Sequence, residues 1–307
     1  MHKYYITHCD KNYIEHVEKL FTSLKKYSKH KIIFYTVDFE YDNKFDNVIN
    51  IYFDSKSAIT NALKTSQTCE LLDTKAFYVF QKPLITKNIL SKEFINTDDI
   101  FCYLDADCIA KTNCDEIFNR ADQIINYPLF NEGCHPFMMV DGRGDPFANN
   151  GYDLNLTLEA PLQKLLGYDV NKRKEYLQTG VYLFNKTCDK FIDQWCSICY
   201  SNTVLKNWRL LTPYHEETVI NCLLWQKNDL KHLNQVLVNI PYYDAGDDDL
   251  FKVKNMFNHL LNPPNEDTMI YMFTKIPSIN KIKNLYFLHG KHSKIVYDYI
   301  NEKNSII

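Results

Sequence analysis

The chain has 307 residues, 45% of them hydrophobic and 24% charged, with a formal net charge of −3. That length allows a sizeable core in one large domain or two smaller ones, and the near-neutral balance removes the electrostatic case for a nucleic-acid partner. No apolar run approaches the ~20 residues of a membrane span, and the ten cysteines follow no regular spacing, so they read as reduced thiols of a soluble, cytoplasmic protein.

From the N-terminus, residues 3–7 form a predicted strand, and the opening Met-His-Lys-Tyr-Tyr-Ile-Thr reads as that strand, not as a signal peptide. Residues 12–27 carry Ile14, Val17, Leu20, Phe21 and Leu24 on one helical face. Strands at 31–37 and 48–53 follow, and then two helical stretches over about 57–91. Residues 100–110, Ile-Phe-Cys-Tyr-Leu-Asp-Ala-Asp-Cys-Ile-Ala, are an apolar strand that runs into two carboxylates. A strand apolar on both faces belongs in the middle of a parallel sheet. The alternation of elements up to this point predicts an α/β fold with a mostly parallel, Rossmann-like sheet flanked by helices. No Gly-x-Gly-x-x-Gly follows the first strand, which argues against a dinucleotide cofactor.

Beyond residue 111 the texture changes. Residues 128–161 hold Pro128, Gly133, Pro136, Gly142, Gly144, Pro146, Gly151 and Pro161, a loop or short-strand region suited to walling a cleft. A strand at 176–185 and a helix at about 187–201 come next, and another helix starts near Thr212-Pro213. Short strands and loops fill 236–290, and an amphipathic helix at about 293–302 closes the chain. With no repeat and no Gly/Ser linker, a single domain over 1–307 is the simplest organisation, with a smaller lobe after residue 110.

Chemistry-bearing residues gather at predicted strand ends. Asp105 and Asp107 flank Ala106, and alternation along the strand sends both carboxylates to the same side as the chain leaves the sheet. Parallel sheets bind ligands beyond their strand C-termini, and two hard oxygen donors there suit Mn²⁺ or Mg²⁺ bridging to a diphosphate. A solvated acidic turn is the plain alternative. Thr7-His8-Cys9-Asp10-Lys11-Asn12-Tyr13 opens from the first strand at the same edge, where Thr7, His8, Asp10, Asn12 and Tyr13 are placed to hold a base and ribose. Taken alone, the simpler reading is that Asp10 or Asn12 caps the helix. Lys82, ahead of the Asp-Ala-Asp strand, could offset diphosphate charge or be an exposed helical lysine. Gln178-Thr179-Gly180-Val181 breaks an apolar strand with Gly180, as at a close ligand approach or a packing bulge, and Gln178 offers an amide to sugar hydroxyls. Glu216 and Glu217 open a helix, where acids are also ordinary partners of the macrodipole. An apolar strand ends in His289-Gly290-Lys291, where His289 could complete a metal site and Lys291 neutralise a phosphate.

The order of these motifs resembles the metal-dependent nucleotide-sugar glycosyltransferases of GT-A fold, above all the retaining family of glycogenin and the lipopolysaccharide galactosyltransferases. Asp10, Asn12 and Tyr13 match that family's Asp-x-Asn-Tyr, and Asp105 and Asp107 match its Asp-x-Asp. Gln178-Thr179-Gly180-Val181 stands for its Asn-x-Gly-Val, the segment from Glu216 to Asn221 for its Asp-Gln-x-x-Leu-Asn, and His289 for its C-terminal histidine. Gln178 replaces an Asn, and Glu217 a Gln that stands beside the anomeric carbon.

The resemblance implies a nucleotide-binding half at 1–110, an acceptor and sugar half at 111–260, and a C-terminal segment at 261–307 that returns to the metal site. It implies Asp105, Asp107 and His289 as ligands of Mn²⁺ or Mg²⁺ against a UDP-sugar. Lys82 and Lys291 then add charge at the leaving group, and Gln178, Glu216 and Glu217 orient the sugar. Thr7, His8, Asp10, Asn12, Tyr13, Ala106 and Gly180 line the donor. The acceptor would be a hydroxyl of a glycan, a lipid-linked glycan or a protein. Retention is the expected outcome; inversion would need a carboxylate base, for which Glu217 or Asp153 stands available. Two other readings remain open at this point: a sugar-phosphate nucleotidyltransferase, against which the Gly-free Thr7–Tyr13 segment speaks, and a non-catalytic carbohydrate-binding protein of the same fold.

Overall fold

A computed structural model describes residues 1–66, 80–110, 113–132, 148–149, 153–154, 177–211, 215–233, 237–239 and 287–289. The first strand, β1 (Lys3–Cys9), runs two residues beyond its predicted end, because His8 and Cys9 still pair in register with the next strand. After it Asp10 caps a short 3₁₀ turn and helix α1 (Ile14–Tyr27) begins. The predicted apolar stripe of α1 is the buried one: Val17, Leu20, Phe21 and Leu24 are all sealed from solvent.

Strands β2 (Lys31–Val37) and β3 (Val48–Phe53) lie where the apolar runs place them. Helices α2 (Ser55–Thr65) and α3 (Gln81–Leu90) lead to β4 (Ile100–Leu104) and the short β5 (Cys108–Ala110). A 3₁₀ segment (Cys114–Gln123) and β6 (Leu129–Glu132) follow, with the two-residue strands β7 (Ala148–Asn149) and β8 (Asp153–Leu154) beyond. Then come β9 (Leu177–Phe184) and the helices α4 (Asp189–Cys199), α5 (Asn202–Leu211) and α6 (His215–Leu224). Strands β10 (Leu237–Asn239) and β11 (Phe287–His289) complete the described elements. Residues 293–302 and Lys291 lie outside the described residues.

The central sheet has six strands in the order β3-β2-β1-β4-β9-β6. The β3-β2-β1-β4 half is parallel, while β9 runs antiparallel to both β4 and β6. Six successive residues of β2 and all eight of β9 are buried, so both faces of the sheet are covered. Helix α1 packs on β1 and β5; α3 packs on α4, α4 on α6, and α6 on β9. An aromatic seam runs through the core, with Tyr103 stacked on Tyr182 at 4.8 Å and Phe101 on Phe184 at 5.2 Å.

The described cysteines are buried. Cys196 and Cys199 are spaced as Cys-x-x-Cys on α4, yet burial pushes the Cys196 thiol up to about 12 and Cys199 well above its ordinary value. Both thiols pack as small core residues of α4.

A second, three-stranded sheet has the order β10-β11-β5. It joins β5 to two strands from far later in the chain, and they meet directly beyond the Asp-Ala-Asp turn. Buried Ser23 in α1 fixes β5 from the other side, its hydroxyl accepting the Ala110 N–H at 3.0 Å while donating to the Leu20 carbonyl.

Candidate active site

The site grows from the C-terminal end of β4, the last strand of the parallel half, where it borders the antiparallel β9. Leaving the strand, Asp105 donates its N–H to the Gly180 carbonyl at 2.9 Å, and its own carbonyl accepts from Cys108 N–H at 3.0 Å. These bonds pin the turn that carries Asp105, Ala106 and Asp107 against β9. Gly180 is where that contact is made, and the pairing of β9 with β6 shifts register beside it, between Phe130 and Asn131. The glycine therefore marks both a bulge and a close backbone approach.

Lys82, in the first turn of α3, reaches into this edge. Its Nζ lies 2.8 Å from one Asp105 oxygen and 3.1 Å from the other. It is also 3.0 Å from Glu216 Oε1 and donates to Thr179 Oγ1 at 3.1 Å. Burial works against the ammonium charge, but Asp105 and Glu216 outweigh it and hold Lys82 well above the ordinary lysine range. This is a desolvated ion cluster and not an exposed helical lysine. Removing one member of such a cluster leaves a buried charge uncompensated, at a cost of about 3–5 kcal/mol.

Two further carboxylates come from the start of α6. Glu216 is 5% exposed and accepts from Thr179 Oγ1 at 3.1 Å. Its carbonyl accepts the Trp195 indole N–H at 3.1 Å, which ties α6 to α4. Glu217 is half-buried and accepts the Thr179 N–H at 3.0 Å. One turn on, Asn221 clamps β9: its amide oxygen accepts from Leu177 N–H and its NH₂ donates to the Leu177 carbonyl, both at 2.8 Å.

On the first strand, His8 Nδ1 shares a 2.7 Å hydrogen bond with the Tyr103 hydroxyl, and Lys82 Nζ stands 5.7 Å from the Tyr103 ring centre. Burial first, and then the Lys82 charge, lower the His8 imidazole to about 4, against the opposing pull of Asp105. His8 is thus a neutral member of the polar network at neutral pH.

The predicted residues divide accordingly. Asp105, Lys82, Glu216 and Glu217 converge around Thr179, with Gly180 and His8 adjoining through Asp105 and Tyr103. Thr179 and Tyr103 are the members that sequence reasoning passed over. Thr179 stands inside a singled-out motif, but only the bulge reveals that it, and not Gln178, meets the cluster. Gln178 is buried, and its amide oxygen accepts from Asn131 at 3.3 Å. Thr7 is a core residue of β1. Asp10 accepts the Asn12 N–H at 2.8 Å, the capping role weighed for it, and Asn12 and Tyr13 are exposed at the sheet edge. Asp107 and Ala106 are half-buried on the turn. Asp153 lies in β8, paired in register with Asn149.

The C-terminal strand β11 pairs with β5. In the antiparallel pairing of β11 with β5, His289 stands opposite Cys108, the neighbour of Asp107 in sequence. The two carboxylates on this turn are hard oxygen donors of the kind Mn²⁺ or Mg²⁺ takes, while among the described residues no group of three His, Cys, Asp or Glu side chains gathers around a common point.

No family model and no curated protein matches the sequence. Among solved structures, the chain is similar to mouse xyloside xylosyltransferase 1 in its apo form, with TM-score 0.55 and 10% identity over 95% of this chain and 98% of that one. It is similar also to an active-site mutant of LgtC, with TM-score 0.50 and 12% identity over 94% and 87% of the two chains. A third similarity is to the bifunctional glycosyltransferase WbbM in its apo form, with TM-score 0.50 and 13% identity over 94% of this chain and 46% of that one. A six-stranded sheet with one antiparallel strand beside the central one, and helices on both faces, is common ground with these glycosyltransferase structures: the chain has the GT-A glycosyltransferase fold.

Proposed function

We propose that the protein is a metal-dependent glycosyltransferase that moves a sugar from a nucleotide-diphosphate sugar, a UDP-sugar, to a hydroxyl acceptor on a glycan, lipid-linked glycan or protein. The observation that carries this reading is the convergence of Asp105, Lys82, Thr179, Glu216 and Glu217 at the ligand edge of a GT-A sheet.

In this reading Asp105, Asp107 and His289 hold Mn²⁺ or Mg²⁺, which when bound supplies Lewis-acid stabilisation of the diphosphate leaving group. Lys82, and Lys291 from the C-terminal segment, add positive charge on the same side of the breaking bond. The nucleoside lies along the end of β1, near His8, Asp10, Asn12 and Tyr13. The donor sugar reaches towards Thr179 and the start of α6. Glu216, fixed by Lys82 and Thr179, orients it. Glu217 carries negative charge close to that path, where it can stabilise a cationic sugar centre or accept a proton. We favour retention, in which the leaving phosphate takes the acceptor proton. The predicted halves keep their roles here, with 1–110 for the nucleotide and 111–260 for sugar and acceptor.

Donor hydrolysis tests this without knowledge of the acceptor. Incubation with a panel of nucleotide sugars and Mn²⁺ should release free sugar from one donor class, a UDP-sugar. EDTA should stop release, and Asp105→Asn or Asp107→Asn should abolish it; the thermal transition should barely move for Asp107→Asn but fall for Asp105→Asn, which takes from Lys82 a buried counter-charge. Undiminished turnover in EDTA, or no hydrolysis of any donor, would end the proposal.

A further inference from the structure

Lys82 engages both oxygens of Asp105, the carboxylate that the proposed metal site needs, and it is itself shared with Glu216 and Thr179. We propose that Lys82 is a resident counter-ion of the Asp-Ala-Asp turn, which keeps divalent-cation affinity low until a nucleoside diphosphate arrives. The inference rests on the reading of Asp105 and Asp107 as metal ligands, and it concerns how this chain's lysine controls them.

Lys82 is neither spare nor solvated: its ammonium makes four short polar contacts, and its side chain is 16% exposed. A dipositive ion bound to Asp105 would lie close to this fixed charge. Repulsion between such an ion and an ammonium about 5 Å away changes cation affinity by roughly an order of magnitude even at the dielectric constant of water, and by more in a buried site. Diphosphate oxygens remove the conflict, because they carry enough negative charge for both cations. The flexible four-carbon stem lets Lys82 turn from Asp105 to a phosphate while its Glu216 and Thr179 partners stay in place. Lys82 then acts as a positioning residue as well as a leaving-group cation.

Two opposed signs follow, which a merely structural lysine would not produce. Lys82→Met should tighten Mn²⁺ binding in the absence of nucleotide, while weakening UDP binding in the absence of metal. Mn²⁺ binding to the full chain is read from the loss of the free-ion signal in electron paramagnetic resonance, and UDP binding from calorimetry. In the wild type, saturating UDP should tighten Mn²⁺ binding at least ~10-fold. In Lys82→Met that enhancement should shrink by ~10-fold or more, chiefly through tighter binding of the metal alone, and Lys82→Arg should restore it. Equal Mn²⁺ affinity of wild type and Lys82→Met without UDP would overturn the counter-ion role. Should Lys82→Met not fold, the wild-type measurement decides: no enhancement by UDP overturns the proposal. A wild type that binds no Mn²⁺ even with UDP would instead remove the metal reading itself, and the counter-ion role with it.

Discussion

His8 is half-buried against the Tyr103 hydroxyl, and its imidazole is lowered from 6.5 to about 4 by burial and then by the Lys82 charge. The linkage has a definite sign. The unfolded chain takes up this proton near pH 6.5, whereas the folded chain resists it until about pH 4. Stability is therefore full above the unfolded value and falls as pH drops through that window, by up to about 3 kcal/mol from this one group. Urea unfolding between pH 7.5 and 4.5 should show the fall, and His8→Asn should flatten it. Equal pH slopes for the two proteins would show that His8 does not titrate as its surroundings indicate. His8 was legible in the sequence as an edge residue of the first strand. Its partner Tyr103 was not, because an apolar strand read by pattern alone gives no sign that one of its tyrosines aims a hydroxyl at a neighbouring strand.

At the scale of elements, α6 and β9 act as one unit. Asn221 satisfies both backbone groups of Leu177, and its NH₂ also donates to the Glu217 carbonyl at 2.8 Å. Glu217 and Glu216 meanwhile accept from Thr179, two residues along the same strand. The helix start is thus held to the bulge by side-chain bonds at both ends. Asn221→Leu would leave the buried Leu177 N–H and C=O without partners. At about 1–3 kcal/mol for each of the two stranded groups, we expect a loss of roughly 2–6 kcal/mol in urea unfolding. A change below about 1 kcal/mol would mean that Leu177 finds replacement partners and that the clamp is dispensable. The sequence marked Asn221 only as the last residue of a motif; that it grips a strand more than forty residues earlier is a tertiary fact.

For the whole molecule, the decisive feature is the return of β11 to β5. It places the backbone of His289 opposite Cys108, beside the Asp-Ala-Asp turn, across a separation of about 180 residues in sequence. If His289 is the third metal ligand, His289→Ala should weaken Mn²⁺ binding by ~10-fold or more, at least the scale lost when a mere supporting partner of a metal ligand is removed. The thermal transition should barely move, since the six-stranded sheet does not include β11. Unchanged Mn²⁺ affinity would leave the site to the two carboxylates.

The sequence by itself determined the elements of the parallel half and the edge at which chemistry gathers. Hydrophobic periodicity is a local property, so β2, β3 and the buried stripe of α1 fall where the pattern puts them. The Asp-Ala-Asp turn is equally local, since a strand end and two carboxylates lie within one short segment. Tertiary structure alone decided that β9 runs antiparallel beside β4, that its register shift brings Thr179 into the site, and that Lys82 is a buried counter-ion. Strand direction and long-range charge pairing depend on which surfaces meet after the chain has folded back. Before that point a lysine in a helix and a threonine in a strand carry no mark of the partners they will find.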